Sequence, residues 1–274
     1  MLTFTVREKA RELGLPFGTV VAEVLHLVAL DALFAVAQSE VLRFQGGTSI
    51  HLLYDGYRFS EDLDFAGKSI TPSGVQELVA RSRSNVEKGV IQYLGQGTFD
   101  WRLPGFSKGR RIHSIWLTYR PENGPQKYRL KLEFARYPTY EPTVLPVRSD
   151  LDALGRRPLV TGLSQRELLA EKIAAVFSRS YLKGRDLFDV WYLSEVLRTE
   201  VDSSLVGKKL RDYRVDISKF KLEQRLQQLP TRDLVAEMDR FLPRRYRQQL
   251  QENEYERIRK SAAGTVQKAI RGIQ

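Results

Sequence analysis

The stretch from Phe44 to Phe65, FQGGTSIHLLYDGYRFSEDLDF, decides the fold. Its pattern predicts a short strand, a glycine turn, a helix, a loop and a second strand. Gly46 and Gly47 break the first strand, because glycine tolerates positive φ and lets the backbone approach a ligand. Thr48 and Ser49 are predicted to cap the helix that follows. The free N–H groups at the start of a helix favour a phosphate.

Two aspartates close this stretch at positions 62 and 64. In a strand, residues i and i+2 point to one face, so Asp62 and Asp64 project together while Leu63 and Phe65 face the core. Two neighbouring carboxylates repel each other unless a cation lies between them. Mg²⁺ prefers oxygen ligands and is usually held by one or two carboxylates together with substrate phosphates. The stretch therefore predicts a phosphate-binding turn followed by a pair of ligands for Mg²⁺ or Mn²⁺.

The order of these features resembles the signature of the DNA polymerase beta-like nucleotidyltransferase superfamily. The longer string GGTSIHLLYDGYRFSEDLDF is similar to the AbiEii family of toxin nucleotidyltransferases, which includes the MenT-like toxins. Arg58, Ser60, Asp62 and Asp64 match the family pattern R-x-S-x-DLDF. Gln45 departs from it, because the family often has lysine before the two glycines. The alternative interpretation is a β-hairpin with solvated acids.

The resemblance implies a role for each matching residue. Asp62 and Asp64 would be catalytic and would hold the metal ion. The remaining matching residues would bind the nucleotide: Gly46, Gly47, Thr48, Ser49, Arg58 and Ser60.

A third acid is a further candidate metal ligand. The run from Tyr128 to Phe134 alternates, with its leucines on one face and its charged residues on the other. Many polymerase beta-like enzymes place a third carboxylate on such a strand, and Glu133 is the residue that would supply it here. A half-exposed strand with a surface glutamate explains the same pattern equally well.

Downstream of position 160 the pattern becomes helical. Ser164 and Glu167 form a capping box, and apolar residues at helical spacing predict a helix from Arg166 to about Arg179. A second helix is predicted over residues 183–193.

These two helices carry further motifs that resemble the AbiEii family, EKIAA around Lys172 and RDLFD from Arg185. The resemblance implies that Lys172 neutralises charge on the triphosphate and that Asp186 or Asp189 orients a reacting group. Spacing does not decide between the two aspartates, because residues i and i+3 lie on one helix face. The alternative is a buried ion pair between lysine and aspartate that joins the two helices.

The composition of the chain favours some classes of binding partner and excludes some kinds of site. The 274 residues carry a formal net charge of +11, and residues 205–274 hold 17 Lys and Arg against 9 Asp and Glu. Such an excess suggests a polyanionic partner, which could be RNA, DNA or an acidic protein. A solvated helical surface explains the same excess, and charge alone does not separate these. No cysteine is present, which excludes disulfides and thiolate metal sites and fits a cytoplasmic location.

The apolar run from Thr19 to Ala37 contains Glu23, His26 and Asp31. Charges are costly in the middle of a bilayer, so we expect a buried helix and no membrane association. The other predicted elements are a helix at Ser73–Lys88, short strands at Val90–Tyr93, Ile112–Tyr119 and Tyr128–Phe134, and C-terminal helices at Leu222–Leu229, Thr231–Phe241 and Arg244–Lys260.

Together these patterns predict an α/β (α+β) protein. Residues 1–160 are expected to form a polymerase beta-like nucleotidyltransferase core with a mixed sheet. Residues 161–274 are expected to form a helical domain with a basic C-terminal region.

The resemblance implies a metal-dependent nucleotidyltransferase toxin of a toxin–antitoxin or phage-defence system. It would transfer nucleotides from an NTP to an RNA, in particular the tRNA 3′ end, and block translation, and a cognate antitoxin would control it. Two alternatives remain open, a kinase that phosphorylates a protein hydroxyl such as that of its antitoxin, and a non-catalytic nucleotide- or RNA-binding module.

Overall fold

The computed structural model of the chain describes residues 2–103, 111–149, 151, 157–219 and 222–273. Contacts within the chain divide it into two compact units, Met1–Leu163 and Ser164–Gln274.

The first unit is built around one mixed sheet. Its helices are α1 (Leu2–Leu13), α2 (Phe17–Phe34), α3 (Gly46–Tyr54) and α4 (Pro72–Leu94). Its strands are β1 (Arg43–Gln45), β2 (Asp62–Ala66), β3 (Gly97–Arg102), β4 (Ile112–Pro121), β5 (Tyr128–Ala135), β6 (Pro142–Pro146) and β7 (Leu159–Leu163). Across the described residues the seven strands lie in the order β3-β4-β5-β2-β1-β7-β6.

The centre of the sheet combines parallel and antiparallel pairs. β2 pairs antiparallel with β1 and parallel with β5, and β1 pairs parallel with β7. The alternation of the strands sends Phe44, Phe65 and Phe134 to one face, where all three are fully buried. Their rings contact one another, with centroids 5.7 Å apart for Phe44 and Phe65 and 5.2 Å apart for Phe65 and Phe134. This aromatic layer fixes the register, because a shift by one residue would turn it outward.

Helix α4 is longer than the sequence suggested, and the predicted strand at Val90–Tyr93 is wrong. Thr71 caps the helix by accepting a hydrogen bond from the Gly74 amide, and the helix continues to Leu94. Gly89 lies inside this helix, and a Cβ at that position would lie 2.6 Å from Val28 Cγ1 on α2. The glycine therefore allows the two helices to approach closely, and Val90 is buried as part of the apolar helix face.

Helix α2 is the core helix of the first unit. By length and composition alone it could cross a membrane, since its mean hydropathy is 1.8, but 67% of it is buried inside the protein. Glu23 and His26 are among its buried residues, so this apolar helix also carries polar groups into the interior.

The second unit is helical throughout its described residues. Its α-helices are α5 (Gln165–Ser178), α6 (Gly184–Trp191), α7 (Ser203–Asp212), α8 (Leu222–Gln227), α9 (Thr231–Met238), α10 (Arg244–Gln249) and α11 (Glu252–Arg271), and a π-helical turn, Tyr192–Val196, follows α6. The capping box forms as predicted, with Ser164 accepting from the Glu167 amide. The single helix predicted over Arg244–Lys260 is wrong, because the chain leaves helical geometry at Leu250 and begins α11 after Gln251.

Candidate active site

The glycine turn lies directly against the second aspartate. Gly46 has φ +81°, a backbone conformation that residues with a side chain rarely adopt. A Cβ built at Gly46 would lie 2.2 Å from Asp64 Oδ2. The register explains this proximity, because Gln45, the residue before the turn, pairs with Asp64 across β1 and β2. Glycine is therefore required at this position both by the backbone and by the neighbouring carboxylate.

The two hydroxyl residues after the glycines do not cap α3, contrary to the prediction. The helix begins at Gly46, which places Thr48 and Ser49 inside its first turn. Thr48 Oγ1 donates a hydrogen bond to the carbonyl of Asp62, and Ser49 Oγ donates to the carbonyl of Gly46 at 2.9 Å. Helix geometry leaves the N–H groups of the first turn without acceptors inside the helix. The hydroxyls thus stabilise the turn and tie it to β2, while the amides of the turn remain suited to an anion.

The aspartates of β2 form a pair of oxygen ligands on one face of the sheet. Asp62 and Asp64 are both half-buried, and Leu63 and Phe65 between and after them are fully buried on the other face. Two carboxylates at the edge of an amide-lined turn fit Mg²⁺ or Mn²⁺, which is commonly held by one or two carboxylates and substrate phosphates. Within the described ranges no group of three or more His, Cys, Asp and Glu residues forms a metal site. A metal at the pair would take further ligands from substrate and water.

Glu133 lies beside Asp64 but has other partners. It pairs with Asp64 across β2 and β5, so the two side chains point to the same face. Glu133 Oε1 is 2.9 Å from Lys131 Nζ and accepts a hydrogen bond of 3.2 Å from Ser114 Oγ. Its role as a metal ligand stays a prediction.

Arg58 and Ser60 lie in the loop between α3 and β2. Arg58 is only 3% exposed, and its Nη1 donates to the carbonyl of Phe59 at 3.2 Å. A Cβ built at Gly47 would lie 2.2 Å from Arg58 Nη2, so the guanidinium packs against the glycine turn. Ser60 is half-buried in the same loop. The structure therefore brings the glycines, Arg58 and the aspartate pair together in the first unit.

A buried histidine network, which the sequence analysis did not anticipate, supports this loop. His51 on α3 contacts Glu23 on α2, with Nε2 2.8 Å from Glu23 Oε2, and its Nδ1 lies 2.6 Å from the carbonyl of Gly56. His26 Nε2 lies 3.1 Å from the carbonyl of Glu61, and Ser149 Oγ donates to Glu23 Oε1. The one signal in the sequence was the presence of Glu23 and His26 in an otherwise apolar helix.

Burial and mutual attraction shift the pKa values of this network in different directions. Burial opposes ionisation of Glu23 and His51, but their attraction outweighs it, so that the pKa of His51 is raised and the pKa of Glu23 is lowered. Burial lowers the pKa of His26 to about 4, and neither its contact with the Glu61 carbonyl nor the attraction of Glu23 offsets this effect. At neutral pH the network therefore holds a Glu23–His51 ion pair and a neutral His26.

The predicted residues of the second unit form their own cluster. Lys172 on α5 is buried, with Nζ 2.7 Å from Asp189 Oδ2 and 3.5 Å from Asp186 Oδ1 on α6. Arg179 Nε lies 2.7 Å from Asp186 Oδ2. Asp189 is therefore the closer partner of Lys172. The cluster joins α5 and α6, as expected for the alternative interpretation of a buried ion pair between lysine and aspartate. Whether Lys172 also takes part in the chemistry stays a prediction.

Three solved structures share the fold of the chain. MenT4, a nucleotidyltransferase toxin from Mycobacterium tuberculosis, has 18% identity and a TM-score of 0.61, with 100% of this chain and 99% of that chain covered. JHP933 from Helicobacter pylori has 18% identity and a TM-score of 0.57, with 94% of each chain covered. A putative nucleotidyltransferase from H. pylori has 19% identity and a TM-score of 0.56, with 92% and 96% covered.

No curated protein sequence matches the chain. A family model does, over residues 28–268, and it describes a nucleotidyl transferase AbiEii toxin of a type IV toxin–antitoxin system. The match spans the glycine turn, the aspartate pair and the helices that carry Lys172 and Asp189. The chain therefore belongs to the AbiEii family of nucleotidyltransferase toxins.

Proposed function

We propose that the protein is a metal-dependent enzyme that transfers a nucleotide from an NTP to an RNA, with the tRNA 3′ end as the acceptor, and so blocks translation. The contact between Gly46 and Asp64 carries this proposal. It sets a carboxylate suited to Mg²⁺ beside backbone amides suited to phosphate, so close that a Cβ built at Gly46 would lie 2.2 Å from Asp64 Oδ2. A metal–nucleotide complex requires both groups in one place.

The residues of the first unit have separate tasks in this proposal. Asp62 and Asp64 hold Mg²⁺ or Mn²⁺, which when bound neutralises charge on the phosphates and on the leaving pyrophosphate. The amides of Gly47 and Thr48 bind phosphate oxygens at the start of α3. Arg58 lies beside those amides and stabilises the charge that develops as the acceptor hydroxyl attacks the α-phosphorus. Ser60 and Glu133 are secondary candidates for contact with the nucleotide and the metal.

The charge of the chain and its family support the proposed RNA acceptor and the proposed cellular role. The last quarter of the chain holds 17 basic against 9 acidic residues, and Arg245 stacks over Tyr246 at 4.7 Å in α10. Such a surface suits a nucleic acid backbone. As a member of a toxin family, the protein is proposed to act in the cytoplasm in phage defence, under control of a cognate antitoxin.

Labelled nucleotides test the reaction. The protein is incubated with total RNA, Mg²⁺ and each NTP in turn, labelled at the α- or the γ-phosphate. We expect α-label to enter RNA of tRNA size, and we expect EDTA or the Asp64→Asn substitution to abolish it. Transfer of γ-label to protein would instead identify a kinase, and absence of both with retained NTP binding would identify a binding module.

Growth in bacteria tests the toxin activity in the cell. Expression of the wild-type chain is expected to arrest growth and protein synthesis, whereas Asp64→Asn is expected to be harmless at equal protein level. Harmless expression of a chain that is active in vitro would refute the proposed role in translation.

A further inference from the structure

The loop from Asp55 to Glu61 is held at its carbonyl oxygens by side chains from two helices. His51 on α3 contacts the carbonyl of Gly56, and His26 on α2 contacts the carbonyl of Glu61. Thr48 continues the series at the carbonyl of Asp62, the first residue of β2. These contacts cover both ends of the segment that carries Arg58. A loop gains a fixed path in this way without regular secondary structure.

His51 has two partners that can only accept hydrogen bonds. The carbonyl of Gly56 lies 2.6 Å from Nδ1 and the carboxylate of Glu23 lies 2.8 Å from Nε2. The lowered pKa of Glu23 keeps its carboxylate ionised, so both ring nitrogens of His51 donate and the ring is an imidazolium. Glu23 is 2% exposed, and it is the only anion that the described contacts place against the ring. The charged groups around it are Glu23 and, at longer range, Arg58, while His26 faces Glu23 from the same helix.

Arg58 is the functional group that this network can control. Its guanidinium packs against Gly47 so closely that an added Cβ would lie 2.2 Å from Nη2. The ring of Phe59, the next residue, lies 4.4 Å from the ring of His51. His51 thus contacts the loop on both sides of Arg58, at Gly56 two residues before it and at Phe59 immediately after it.

We propose that His51, held by Glu23, is a positioning residue that fixes the loop so that Arg58 stays against the glycine turn, ready to bind phosphate. The proposal rests on the proposed function, because it assigns His51 to the same nucleotide site. It does not place His51 in contact with substrate. If His51 were only structural, it would stabilise the first unit but would not affect activity through Arg58.

A double-mutant cycle separates the two roles. Kinetics of nucleotide transfer are measured for His51→Gln, Arg58→Ala and the double variant, with His113→Gln as a control for loss of another buried histidine of the unit. We expect His51→Gln to lower kcat/KM about 100-fold, the order of loss that follows a misplacement of about 1 Å. The double variant should match Arg58→Ala within about twofold, because His51 acts through Arg58. Losses that multiply, or wild-type kinetics of His51→Gln, overturn the proposal.

Two further measurements do not depend on catalysis. They therefore test the positioning role even if the proposed function fails, and retained activity of Asp64→Asn would reveal that failure. Hydrogen exchange of the amides at residues 55–61 should accelerate in His51→Gln and in Glu23→Gln while α4 and β5 stay protected. Nitrogen NMR of the wild-type ring at pH 7 should show two protonated nitrogens on His51. A neutral His51 ring, or unchanged hydrogen exchange in the loop, overturns the positioning role, and neither result depends on enzymatic activity.

Discussion

Replacement of Gly46 by alanine is the sharpest test of the glycine turn. The new Cβ would start 2.2 Å from Asp64 Oδ2, and an ordinary contact begins at 3.4 Å, so the carboxylate must move by about 1.2 Å. Misplacement of a reacting group by about 1 Å costs on the order of 100-fold in rate. The alanine must also adopt φ +81°, which destabilises by about 1–3 kcal/mol.

Gly95 supplies a matched control, because its φ is +94° but a Cβ there would meet nothing within 4 Å. Gly95→Ala should therefore lose stability to a similar extent without loss of transfer activity. For a unit of this size about 1–3 kcal/mol corresponds to a fall in Tm of about 2–12 °C. The assay is transfer of α-label from NTP, with Tm measured on the same samples.

The comparison has two outcomes that refute the reasoning. Wild-type activity of Gly46→Ala would show that the position of Asp64 against the turn does not matter. An equal loss of activity in Gly95→Ala would show that backbone strain, and not the carboxylate contact, causes the loss.

Three further predictions concern the buried charges. His26 has a pKa of about 4 in the folded chain against 6.5 when exposed, so the free energy of unfolding should fall by about 3 kcal/mol between pH 6.5 and pH 4. The His26→Gln variant cannot titrate at this position, so its free energy of unfolding in urea should lack this dependence on pH. The same dependence in the variant would contradict the assignment. Lys209 is 1% exposed and contacts Glu167 at 2.5 Å, so Lys209→Met should destabilise by about 3–5 kcal/mol in urea unfolding because it leaves buried carboxylates unpaired. Lys172→Ala should abolish transfer while NTP binding by calorimetry persists; turnover at the wild-type rate would show that Lys172 is structural.

The basic patch in α10 offers one more measurement. Replacement of Arg244, Arg245 and Arg247 by alanine should weaken RNA binding and lower its salt dependence, by about 0.7 in the slope of log K against log salt for each lost phosphate contact. NTP affinity should stay unchanged. An unchanged slope would place the RNA contact elsewhere.

The sequence predicted what short-range patterns specify. The aspartate pair on its strand and the capping box at Ser164 are local motifs with the predicted secondary structure, and the glycines follow the predicted strand and begin the predicted helix. The mixed sheet followed by helices is confirmed as the fold class. Pairing of Lys172 with the aspartates of the next helix was one of the two interpretations that the pattern allowed.

The missed features depend on contacts between distant residues. Val90 lies in a helix whose Gly89 packs against Val28 of α2, a tertiary contact that no window around position 90 contains. The His51 network joins Glu23, Gly56 and Ser149 from separate parts of the chain. Thr48 donates to Asp62 and does not cap α3, because the helix begins three residues earlier than the cap pattern suggests.

The parallel pairing of β1 with β7 has a consequence for synthesis of the protein. Phe44, next to the glycine turn, pairs with Gly162 at the far end of the first unit. Pairing between strands so distant in the chain forms late, because loop closure must precede it. A ribosome therefore releases nearly the whole first unit before the strand beneath the turn gains its second neighbour. The strand that leads into the glycine turn is therefore fully paired only after the last strand of the first unit has been synthesised.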